Sequence, residues 1–184
     1  MDDDDDDDGP IEATRRWLER AVIGLNLCPY AKSVHVKGQI RWVLSAARDE
    51  PSLLEELVAE LQRLAATDAG TVDTTLLIHP GVLAEFDDYN DFLDVADAAL
   101  EELGLEGVLQ IASFHPQYRF ADADADDVAN CTNRSPYPML HLLREDSIEA
   151  AVASNPDAAS IYERNIETLR RLGHRGWQAL LRRP

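Results

Sequence analysis

The chain has 184 residues, a formal net charge of −18 and only two cysteines. That length buries a substantial aliphatic core without disulfides or a structural metal, and so acidic a surface disfavours nucleic-acid backbones and anionic lipid as partners. No apolar run approaches the roughly 20 residues that cross a bilayer and no basic-then-apolar leader opens the chain, so the expectation is a cytoplasmic protein.

Seven acidic residues form the run Asp2 to Asp8. The run has nothing apolar to bury, so residues 1–9 read as a disordered acidic tail and residues 10–184 as a single α/β domain. A first helix starts at Gly9-Pro10 and carries Trp17, Leu18, Ala21, Val22 and Leu25 on one face. Pro29 is expected to end it, which puts Cys28 at a helix C-terminus. Gln39 to Ser45 alternates as a strand. Ser52, with Glu55 three residues on, predicts a capped helix with a broad leucine stripe.

Thr74 to His79 is apolar on both faces, as a central strand is. A third helix runs from Asp88 or Asn90 to Leu103, and Val108 to Phe114 is the next strand. Strand, helix and strand in that order predict a parallel crossover. Pro116 to Pro138 has no periodicity, and loops of that length are functional or disordered. Met139 to Arg144 reads as a fourth strand and Ser147 starts a short helix. Asn155-Pro156 opens the last long helix, with Ile161, Tyr162, Ile166, Leu169 and Leu172 inward and Gly173 at its close. The fold expected is α/β, a layered sandwich with a small mixed, mostly parallel sheet of about four strands.

Two strands end in His-Pro, at His79-Pro80 and His115-Pro116. If the strands share a direction, both imidazoles sit at the carboxyl edge of the sheet, where open α/β sheets bind ligands. Histidine serves there as acid, base or metal ligand; it also closes turns by bonding backbone. Cys28 is a candidate nucleophile or soft metal ligand, although a helix C-terminus is the wrong end for activating a thiol. The loop Asn133-Arg134-Ser135 offers an amide, a guanidinium and a hydroxyl, and Arg pairs naturally with carboxylate or phosphate. Tyr118 could line the same cleft. His141, flanked by Met139 and Leu143 in the strand alternation, is expected on the core side. Asp122 to Asn133 lacks the Gly and Glu of a calcium loop. Nucleotide-binding, serine-hydrolase and zincin fingerprints are absent.

Six segments together resemble an uncharacterised bacterial family, domain of unknown function 1415: Asn26 to Ala31, His35 to Arg41, Asp73 to Pro80, Asp88 to Asp94, Ser113 to Phe120 and Asn133 to Glu145. The resemblance spans Ile11 to Leu181 and implies no activity and no catalytic residue.

The residues themselves favour a small enzyme acting on a small polar or anionic metabolite. His79, His115 and Cys28 would be catalytic or would hold a divalent transition metal for hydrolysis; Arg134, Asn133, Ser135 and Tyr118 would bind substrate. The alternative is a non-catalytic small-ligand, metal-binding or protein-interaction module. Convergence of Cys28, His79, His115 and Arg134 on one pocket would favour the enzyme. Two buried histidines bonded to backbone would count against it.

Overall fold

Pro10 takes the first position of helix α1 (Pro10–Trp17), where its missing N–H costs nothing. The helix widens into a π-helical turn, Leu18–Ile23, and breaks. In the computed structural model, which describes residues 9–182, Pro29 begins a second helix, α2 (Pro29–Val36). Proline is excluded from helix interiors but suits the first turn, so one residue can mark either boundary. Cys28 is therefore the residue before a helix N-terminus, the opposite end from that expected. The Asp2–Asp8 run lies outside the described residues.

Strand β1 is Ile40–Leu44 and helix α3 is Glu50–Ala66. The cap of α3 is Asp49, whose carboxylate accepts from the Ser52 N–H at 2.9 Å, rather than Ser52 itself. Strand β2 (Thr74–Ile78) is buried throughout. Helix α4 (Phe86–Glu102) leads to β3 (Leu109–Phe114). The long connection after β3 holds a 3-10 turn, Val128–Asn133, capped by Asp127. Strand β4 (Met139–Arg144) has the span expected of it. Helices α5 (Glu145–Ala153) and α6 (Ile161–Leu181) follow. Gly173 bends α6 with a φ of 68°, which a side chain would resist, and this lets Trp177 dock as part of a separate final segment. Tyr162, expected inside, is exposed.

The strand order is β1-β2-β4-β3. The α/β class and the four-stranded mixed sheet are as expected, but the sheet is mostly antiparallel: β1 and β2 are parallel, while β4 opposes both β2 and β3. The chain leaves β3 and re-enters at the same end of the sheet, with Met139 opposite Phe114. Without a crossover to the far end, the returning strand can only be antiparallel. It inserts between β2 and β3, which still run in one direction.

Alternation along β4 feeds two cores. Leu140 and Leu142 pack with Leu53, Leu57, Leu61 and Phe92 of α3 and α4. Met139 turns to the other face, against Trp17, Ala21, Leu169 and Trp177 of α1, the π turn and α6. Leu143 meets Tyr30 and Val34 of α2 there. Among the described residues no helix is long and apolar enough to cross a membrane.

Candidate functional site

Because β2 and β3 share a direction, His79 and His115 lie at the same edge of the sheet. Both are fully buried. They flank Tyr89, with ring centroids 5.8 and 5.0 Å from it. His79 Nδ1 lies 3.1 Å from the Val82 carbonyl. A carbonyl only accepts, so Nδ1 carries the proton and Nε2 keeps a lone pair, buried and without a partner. His115 Nδ1 accepts from the Gln117 N–H, and Nε2 donates to the Leu83 carbonyl, each at 3.0 Å. Burial pushes His79 down to about 4 and also lowers His115. Both rings are bonded to the backbone of turns, and Tyr89 adds a 2.7 Å bond to the Met139 carbonyl.

Arg134 holds its own loop rather than a carboxylate. Nε donates to the Tyr118 carbonyl at 3.1 Å and Nη2 to the Ala125 carbonyl at 2.9 Å. Asn133 donates to the Ser113 carbonyl at 3.0 Å, and Ser135 to the Tyr137 carbonyl at 2.7 Å. The Tyr118 ring packs edge-on against Phe86. Arg134 does border a cleft of about 360 Å³, with Arg119, Glu85, Asp87 and Asp126. Three carboxylates against two guanidiniums give that rim no positive excess, and neither histidine lines it.

Cys28 packs in the other layer, against Tyr30, Val34 and Leu143. Among the described residues no three His, Cys, Asp or Glu side chains come together as metal ligands. His79, His115 and Cys28 thus do not form the ligand set suggested by the sequence. Cys28 lines a different space, a cavity of about 160 Å³ between the sheet and the helices on its second face. The π-helical turn supplies Leu18 and Val22 to its wall; the sheet supplies Ile40, Leu76, Ala112, Phe114 and Leu143. Such π turns recur at functional sites.

Five residues with a polar side-chain atom border that apolar wall: Trp17, whose buried indole N–H has no partner, Cys28, Tyr30, Thr74 and His141. The Thr74 hydroxyl donates to the Leu142 carbonyl at 2.6 Å, so it accepts from His141 Nε2 at 2.7 Å. His141 Nδ1 is then a bare acceptor, and burial pushes this imidazole down to about 4. The N–H groups of Ala31 and Tyr30 favour the Cys28 thiolate, but burial outweighs them and pushes the thiol up. Tyr30 is 7% exposed. Its buried hydroxyl sits beside the Asp73 carboxylate and the Thr74 hydroxyl. Burial, then the Asp73 carboxylate, raise its pKa, so it stays protonated as a donor.

Tyr30 and Val34 also line a polar cleft of about 490 Å³ between α2 and α5, bordered by Ser33, Lys37, Asp73, Ser147 and Asn155. Asp73 accepts from Ser147 at 2.6 Å and faces Arg144 at 3.6 Å. Sequence reasoning reached Cys28 and the inward side of His141, but not their meeting with Thr74 and Tyr30. The adjacency of Tyr30 to Cys28 was the one local signal.

A family model described as protein of unknown function (DUF1415) matches residues 10–179, and the chain belongs to that family. No curated protein and no solved structure matches it.

Proposed function

We propose that this protein binds a small, largely apolar molecule in the cavity bordered by Cys28, Tyr30, Thr74 and His141. The cavity itself, about 160 Å³ in volume, carries the reading. Protein interiors are close-packed, and an unfilled space of this size costs on the order of 4 kcal/mol. An apolar cavity of about 150 Å³ is large enough to admit benzene. The exposed wall is almost wholly apolar, and apolar side chains make up most of a ligand site's lining.

Catalysis by His79 and His115 at the carboxyl edge has less support, because both rings are buried and bonded to turn carbonyls. Cys28 is protonated at neutral pH by its raised pKa, which favours binding over nucleophilic chemistry. Two free cysteines fit a cytoplasmic location.

The test is a benzene titration followed by amide NMR. Saturable shifts are expected at Thr74, Ala112 and His141, and they should vanish in a folded Ala112→Leu variant that fills the space. Absence of benzene binding to the folded wild-type protein would rule the reading out.

A further inference from the structure

The cavity wall holds one acceptor that the protein leaves free. His141 lies on β4, an interior strand, yet it is only half-buried. Its cross-strand neighbours are Leu76 on β2 and Ala112 on β3. The alanine side chain is too short to cover the imidazole on the β3 side. The Thr74 hydroxyl gives its one proton to the Leu142 carbonyl at 2.6 Å, so the 2.7 Å contact with His141 Nε2 requires a proton on that nitrogen. Nδ1 is then a lone pair. It has no bonding partner among the described residues and, unlike the Trp17 indole nitrogen, it is not enclosed by protein atoms. Burial keeps the ring neutral, so the lone pair persists at neutral pH.

The surroundings of that lone pair restrict what can sit against it. Among the described residues no Lys, Arg, Asp or Glu lines the cavity. A charge buried there without a counter-charge is costly, so the occupant is neutral. An ether or carbonyl oxygen placed at Nδ1 would set two lone pairs against each other, whereas a donor would pair the nitrogen. The rest of the wall, from Leu18 and Val22 to Ile40, Leu76 and Phe114, asks only for an apolar body. Resting on the cavity reading above, we infer that the ligand is a small neutral apolar molecule with one hydrogen-bond donor, the class represented by phenol. The donor bonds His141 Nδ1 and the apolar body fills the space beside Ala112.

Calorimetry on the full chain at neutral pH compares phenol with fluorobenzene, a body of similar shape without the donor. Phenol should bind roughly fivefold tighter, the worth of one net hydrogen bond. In nitrogen NMR of the imidazoles, saturating phenol should move His141 Nδ1 toward the protonated position while Nε2 stays in place. Fluorobenzene should leave Nδ1 where it is. In His141→Leu the order of affinities should reverse, because the bound hydroxyl is then buried unpaired. Phenol no tighter than fluorobenzene, with fluorobenzene still bound, overturns the donor assignment and leaves the cavity reading standing. An Nδ1 signal unmoved by bound phenol also overturns it. Failure of benzene and fluorobenzene to bind removes both readings. The NMR measurement uses the unsubstituted protein, so the test stays decisive should His141→Leu not fold.

Discussion

Thr74 on β2 and His141 on β4 hold one another in a single protonation pattern. The threonine hydroxyl has one proton, given to the Leu142 carbonyl at 2.6 Å, and so accepts from His141 Nε2 at 2.7 Å. This pair closes the sheet side of the cavity. Thr74→Val keeps the shape and removes both bonds, leaving a donor and a carbonyl unpaired. The expected loss is about 1–3 kcal/mol in urea unfolding. An unchanged midpoint would mean that the pair does not hold the wall.

Burial keeps His79 and His141 near 4 in the folded protein, against about 6.5 in the unfolded chain. Between those values the unfolded state takes up protons that the folded state refuses. Stability should therefore fall as pH drops through this window, by about 3 kcal/mol for each of the two, and His115 adds in the same direction. Urea unfolding across the window measures the slope. Imidazole NMR signals of His79 and His141 that titrate near 6.5 would contradict it.

Arg144 joins the end of β4 to the end of α3. The two N–H groups of its Nη2 are shared among the carbonyls of Leu64, Thr67 and Val72, which lie 2.9, 2.6 and 2.9 Å away. These groups lie at and just beyond the helix C-terminus, where carbonyls lack helical partners. Arg144→Met should destabilise by about 3 kcal/mol or more, since Asp73 also loses its counter-charge. Arg144→Lys should recover little, because a point charge on a flexible stem lacks the planar fork. Full rescue by lysine would show that charge alone matters.

Chelation offers a separate check on the metal-site expectation. No three ligand-type side chains converge among the described residues. Treatment with EDTA should leave the melting temperature unchanged, and His79→Ala should not alter metal content by plasma mass spectrometry. A stoichiometric transition metal lost in that variant would show that the histidine edge rearranges to bind it.

The sequence by itself determined where most elements lie. Alternation, leucine stripes and proline stops act within a few residues, so β4 could be read at Met139–Arg144 and β2 as a wholly buried strand. Element order alone placed His79 and His115 at one edge, because strand–helix–strand units keep one direction. Helix α2 escaped notice because it is only eight residues long and its opening proline also reads as a stop. The tertiary structure decided the rest. The insertion of β4 between β2 and β3 depends on where a long loop re-enters the sheet. The neutral, backbone-bonded state of the two histidines depends on Val82 and Leu83 folding back over them. The cavity draws its wall from segments as far apart as Trp17 and Ile148. Its volume comes from side chains that meet only once the sheet has formed, so no local pattern encodes it.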